Sequence, residues 1–265
     1  MKYKPEPSLY HFTDPRSPFT LVNVFPRRGK INPETLAEWK RTQERLRRQV
    51  RHDLLDPWPT LVAGVDCAFL GDDVLAAAVL WHVEEQRIVA EAVERRKADV
   101  PYIPGYLGFR EAPAVLAVLA KLPPFEAVLC DGQGVAHPRR CGLAVHVGVT
   151  LDKPAVGVAK SRLVGTHEPV GPTPRDHTPL LDGDERIGTV VRTRLNVKPL
   201  YVSVGHRVRE RDAVALVLAC QTRYRLPEPT RLADKHVARY KADLVNLPTK
   251  KDGHRNPGRH GANNR

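Results

Sequence analysis

Apolar residues recur along this chain with two different periods, and the alternation between them sketches the fold. From Pro33 to Leu55 the positions Leu36, Trp39, Leu46, Val50 and Leu54 fall at three-, four- and seven-residue steps, which predicts an amphipathic helix. Asn32 suits its N-cap and Pro33 its first helical position. The opposite face carries Lys40, Arg41, Arg45, Arg47, Arg48 and Arg51, either as a solvated surface or as one that touches phosphates. Three strand-like runs follow, Thr60–Phe69, Val74–Val83 and Ile88–Glu94, with short polar turns between them, as in an antiparallel meander. A Pro- and Gly-rich loop from Asp99 to Gly108 leads into a helix over Phe109–Lys121. Next come a short strand Ala127–Cys130, a helix Arg140–Val149 and a buried strand Ala155–Ala159.

The segment Gly165–Gly183, rich in Pro, Thr and Asp, reads as loop. Beyond it Arg186–Leu195 and Tyr201–Val204 predict strands, and Asp212–Thr222 a helix. Leu226-Pro227-Glu228-Pro229 breaks the chain before a last helix over Thr230–Leu244. Five prolines forbid a long helix in residues 1–30, and residues 248–265 form a basic, disordered arm by composition. The expected organisation is an irregular extension (1–30), one α/β body (31–247) and a tail (248–265). Its core is a mixed central sheet, a three-stranded antiparallel meander plus parallel strands, flanked by helices.

Composition narrows the class. Hydrophobic residues make up 42% and charged residues 27% of the 265, which is globular rather than disordered. No run approaches the ~18 apolar residues of a membrane span. The segment Met1–Pro7 lacks a signal-peptide core, so a cytoplasmic protein with no membrane partner is expected. Lys and Arg number 42 against 30 Asp and Glu, a net charge of +12. That surplus suits a polyanionic partner, or serves solubility. Cys67, Cys130, Cys141 and Cys220 form no CxxC and read as buried apolar residues.

Three carboxylates are conspicuous. Asp66 lies in the nearly apolar run Leu61–Phe69, on the same strand face as Val62 and Gly64, where an ionised group needs a cation or donors. Asp131 ends the strand Ala127–Cys130, and a right-handed crossover would set that strand beside the first. Glu111 falls in the first turn of the crossover helix. Singly, each has a plain structural explanation: a capped turn, an Arg partner, a helix dipole. Together they suit a hard, oxygen-ligated cation such as Mg²⁺, with Mn²⁺ as an alternative, acting on a phosphodiester.

Seven ordered blocks then carry a resemblance. They are Ala63–Asp66, Pro101–Gly105, Phe109–Pro113, Asp131–Arg139, Gly157–Ser161, Lys198–His206 and Arg225–Arg231. In these the chain resembles the endonuclease V family, which has a ribonuclease H-like fold and cuts beside inosine, the product of adenine deamination. The resemblance implies a catalytic domain over 31–247, with Asp66 and Asp131 as principal metal ligands and Glu111 as the third acid. It implies Lys160 near the scissile phosphate and Asp234 beside the metal, where some members have histidine. Pro101, Tyr102, Ile103 and Pro104 match the family's wedge, whose stiff loop separates strands. Gly132 and Gly134 would give close backbone approach to a base or phosphate, and His137 and Arg139 would touch the nucleic acid. His137 also reads as an ordinary loop hydrogen-bond partner. The implied activity is hydrolysis of the second phosphodiester bond 3′ to deoxyinosine in double- or single-stranded DNA by a monomer, leaving 3′-hydroxyl and 5′-phosphate ends. Inosine-containing RNA is the alternative substrate, and a non-catalytic nucleic-acid binder of the same fold the alternative class.

Overall fold

The computed structural model describes residues 33–98 and 100–246. The extension 1–30, the N-cap expected at Asn32 and the basic arm 248–265 lie outside the described residues. Helix α1 (Pro33–Arg48) precedes the meander of β1 (Leu61–Leu70), β2 (Asp73–His82) and β3 (Arg87–Lys97), which is antiparallel as expected. Helix α2 (Leu107–Leu119) crosses over, and β4 (Ala127–Cys130) returns parallel to β1 with Val65 opposite Cys130. Helix α3 (Leu143–Leu151) makes the second crossover, to β5 (Ala155–Ala159), parallel to β4. Strands β6 (His177–Asp182), β7 (Glu185–Val191) and β8 (Leu200–His206), then helices α4 (Glu210–Ala219) and α5 (Glu228–Asn246), complete the fold. The sheet order is β3-β2-β1-β4-β5-β8-β7-β6.

Helices cover both faces of this mixed sheet. On one, α2 and α3 pack Val115, Leu119, Leu143 and Val147 against Ala63, Val65, Val128 and Cys130. On the other, α4 sets Ala213, Leu216 and Val217 against Val62, Leu129 and Val158, while α5 sets Ala233 and Val237 against Leu75, Ala77 and Val79. Burial on both sides is why β1 and β2 read as continuous apolar runs. Among the described residues no helix is long and apolar enough to cross a membrane.

Several boundaries shift by a few residues, and three of the differences have a plain physical reason. Helix α1 stops at Arg48, not Leu55. Beyond it the Arg51 amide donates to Nδ1 of His206 at 3.3 Å and the Leu55 amide to Asp212 at 3.3 Å, so tertiary partners replace helical carbonyls. The segment Gly165–Gly183 is not all loop, because β6 occupies His177–Asp182 despite Pro179. That strand sits at the sheet's edge, with β7 on one side and a single bridge from Leu181 to Thr166 on the other, so a residue without an N–H is tolerated there. Helix α5 begins at Glu228 and takes Pro229 into its first turn, where the missing N–H is not needed.

Candidate metal centre

Parallel pairing of β1 and β4 places Asp66, midway along β1, beside Asp131, just past the carboxyl end of β4. The Asp131 amide donates to the Val65 carbonyl at 3.0 Å, which fixes the register at that point. Both strands direct these carboxylates to the α5 face, and α5 contributes Asp234. Carboxylate oxygens of Asp66, Asp131 and Asp234 lie within 4.8 Å of one another. Lys160, just past the end of β5, sets its Nζ 2.5 Å from Oδ2 of Asp131 and 3.4 Å from Oδ1 of Asp234. Arg225 holds the lysine's backbone, donating to the Lys160 carbonyl at 2.7 Å and the Pro199 carbonyl at 2.8 Å. Arg225 lies within the block Arg225–Arg231, but its role at the site depends on a contact 65 residues away, which has no local signal.

Electrostatically the cluster is short of positive charge. Burial, reinforced by the charge of Asp131 and a hydrogen bond with Asp234, pushes Asp66 up to about 8. Burial also raises Asp131, opposed by its bond to Lys160. Burial works against the Lys160 ammonium, but the surrounding carboxylates outweigh it and its pKa rises. Glu111 is the third acid that the sequence singles out. It comes from α2, on the opposite face of the sheet, and is not among the three clustered carboxylates. It is nevertheless close enough to feel Asp131: burial, then that charge, pushes Glu111 up to about 8. His236 turns away from the centre and pairs with Glu91 at 2.7 Å.

The Pro101–Gly105 loop projects Tyr102 into solvent, 64% exposed, with Pro101 and Pro104 also exposed and Ile103 half-buried against Trp39 and Phe109. Of the other residues expected at the nucleic acid, His137 and Arg139 have partners within the protein. His137 is buried, its Nδ1 accepting from the Arg139 amide at 3.1 Å. Burial, then the charge of Arg139, lowers its pKa to about 4, so it is neutral at pH 7. The Arg139 guanidinium bonds Gln43 and the Gly105 carbonyl inside the protein. Gly134 gives close backbone approach, but to β8: a Cβ there would meet the Val204 carbonyl oxygen at 2.1 Å. Gly132, with φ +147°, is in a conformation that favours glycine and turns the chain off β4.

Residues 44–235 match the family model for Endonuclease V. The chain belongs to the endonuclease V family. Endonuclease V of Roseiflexus sp. is 52% identical over 205 residues, 76% of this chain and 91% of that protein. The crystal structure of Endonuclease V from Streptomyces avermitilis is 42% identical with a TM-score of 0.76, covering 83% of this chain and 98% of that one. Endonuclease V of Ciona intestinalis, solved with a 23mer DNA containing an inosine followed by a ribo-adenosine, is 26% identical with a TM-score of 0.71. That match covers 81% of this chain and 100% of the other. The expected ribonuclease H-like fold and nuclease class are thereby met.

The donor set of this centre fits a divalent metal. It is all oxygen, it gathers from two strands and a helix, and among the described residues only Lys160 offsets it by direct pairing. The raised pKa values make the fit testable. Asp66 and Glu111 hold protons more tightly in the folded chain than at their ordinary values of 3.8 and 4.5. Their contribution to stability is therefore full below about pH 4 and lost as pH rises through about 8. A bound cation competes with those protons. The metal-free melting temperature should fall between about pH 6 and pH 8, and the rise on adding a divalent cation should be larger at the upper end. A cation-induced rise that ignores pH would remove both acids from the cation's surroundings.

Proposed function

We propose that this protein recognises deoxyinosine in DNA and hydrolyses the second phosphodiester bond on its 3′ side, with Mg²⁺ as the metal. The observation that carries the reading is the convergence of Asp66, Asp131 and Asp234, with Lys160 at their rim, in a chain that also presents Tyr102 on an exposed loop. The Ciona relative bound to inosine-containing DNA supports the substrate class. The family match over 44–235 supports placing the catalytic unit within 31–247.

Asp66, Asp131 and Asp234 would hold Mg²⁺, with Glu111 acting on the same centre from the other side of the sheet. Mg²⁺, when bound, supplies positive charge against the developing charge on the phosphate and lowers the pKa of water. Lys160 remains cationic because its carboxylate neighbours raise its pKa, and its half-exposed head can meet a phosphate oxygen. Glu111 is proton-bearing near neutrality without a cation, and gives that proton up when positive charge arrives. Water's oxygen bonds to phosphorus as the bond to the 3′-oxygen breaks, leaving a 5′-phosphate and a 3′-hydroxyl. Tyr102, on a loop stiffened by Pro101 and Pro104, would enter the duplex and take the place of a stacked base, while Gly132 shapes the turn that carries Asp131.

The test is a cleavage assay on end-labelled duplexes carrying one inosine, as deoxyribose or ribose, with Mg²⁺ or with chelator. The expected product ends one nucleotide beyond the inosine and requires Mg²⁺ and the deoxy sugar. Preference for the ribose substrate would move the assignment to RNA. Cleavage indifferent to inosine would end it.

A further inference from the structure

Gln43 and Arg139 are polar groups that the proposed chemistry leaves unused, and both converge on one atom. Gln43 lies on the buried face of α1, 1% exposed. Its Nε2 donates to the Gly105 carbonyl at 2.9 Å and the Cys141 carbonyl at 3.4 Å, while its Oε1 accepts from Nε of Arg139. Nη2 of Arg139 donates to the same Gly105 carbonyl. The guanidinium carbon also sits 4.1 Å from the centroid of the Tyr106 ring, which is itself packed 5.7 Å from Trp39 of α1. One carbonyl oxygen thus takes donors from a helix 62 residues before it and a loop 34 residues after it. Gly105 has φ +79°, and a Cβ there would stand 2.8 Å from Nη2 of Arg139, so the residue type and the clamp fit each other.

Gly105 is the foot of the loop whose tip is Tyr102. An aromatic side chain that pries bases apart must push against something, because unstacking costs energy and a yielding loop would bend instead. We propose that Gln43 and Arg139 are positioning residues that brace the Pro101–Gly105 loop against α1. Arg139 acts through the loop, not by touching phosphate. This rests on the wedge reading of Tyr102 in the preceding subsection.

A single-stranded substrate needs no base separation, so the ratio of cleavage on an inosine duplex to cleavage on the same strand alone isolates the wedge. Tyr102→Ala, Gln43→Ala and Arg139→Lys should each lower that ratio, by about tenfold. Adding Gln43→Ala to Tyr102→Ala should lower it no further, because the brace has nothing left to support. Lysine keeps the charge but loses the fork and the ring stacking, so a brace fails in Arg139→Lys where a phosphate contact would survive. Melting curves report folding, and Arg139→Lys carries the test if Gln43→Ala is unfolded. A normal ratio in Arg139→Lys, with Tyr102→Ala impaired, overturns the brace and spares the wedge. A normal ratio in Tyr102→Ala overturns the wedge itself, and the brace with it.

Discussion

Asp131→Asn should slow cleavage of inosine DNA by about 10³-fold, the scale on which one electrostatic stabiliser of a developing charge acts, while binding stays close to normal. The substitution preserves shape and removes one charge from the crowded cluster. Three consequences follow from the geometry. The cation loses the carboxylate that β4 delivers beside Asp66. Lys160 loses the oxygen 2.5 Å from its Nζ and keeps only the looser contact to Asp234 at 3.4 Å. Asp66 loses the second-largest cause of its raised pKa and titrates lower, though burial still holds it above the ordinary range. Affinity for the duplex survives because removing a negative group lessens repulsion of the phosphate backbone, and the basic groups elsewhere on the chain are untouched. Single-turnover cleavage with Mg²⁺, set beside binding of the uncut duplex with chelator, separates the two quantities. Undiminished turnover would take Asp131 out of the centre. Equal loss of turnover and binding would make it a folding residue.

How far the sequence could be read depended on where the determining contact lay. Strand runs bounded by turns gave the meander, β4 and β5 almost to the residue, because period-two and continuous apolar patterns are local. Asp66 and Asp131 were legible for the same reason: a carboxylate in or at the end of an apolar strand is conspicuous. The Glu111 placement needed more. Alternation put Asp66 on the face of Gly64, but nothing local said that α2 would cover the other face and bring Glu111 toward Asp131 from there. Asp234 lies 103 residues beyond Asp131 and was suggested only by the resemblance, since one acid on a polar helix carries no pattern. The inward turn of Arg139 was illegible too. A basic residue in a loop looks like a phosphate contact until the Tyr106 ring and Gln43 are found beneath it.

Gly64→Ala should be strongly damaging, lowering stability by about 3 kcal/mol, as overpacking against rigid neighbours does. On a chain of this size that corresponds to a melting temperature lower by about 10 °C. A Cβ at position 64 would stand 2.2 Å from the carbonyl carbon, 2.4 Å from Cβ and 2.5 Å from the oxygen of Pro229. None of these is the end of a flexible side chain, so β1 or the first turn of α5 must retreat. The first turn is pinned. The Glu228 amide donates to the Cys220 carbonyl at 2.8 Å, and the Glu228 carboxylate holds Thr222 and Arg231. β1 is no freer, being paired with β2 on one side and β4 on the other. Strain at this contact therefore reaches Asp66, two residues along the strand, and Asp234, five residues along the helix, and spreads the carboxylates whose spacing suits the cation. The stabilisation gained on adding Mg²⁺ should shrink along with cleavage, by about tenfold in metal affinity if the disturbance acts like loss of a supporting contact. Melting curves with and without Mg²⁺ check both parts. A variant that melts and cleaves normally would show that α5 can slide without moving Asp234, and the close approach of β1 to α5 would then not be what holds the centre together.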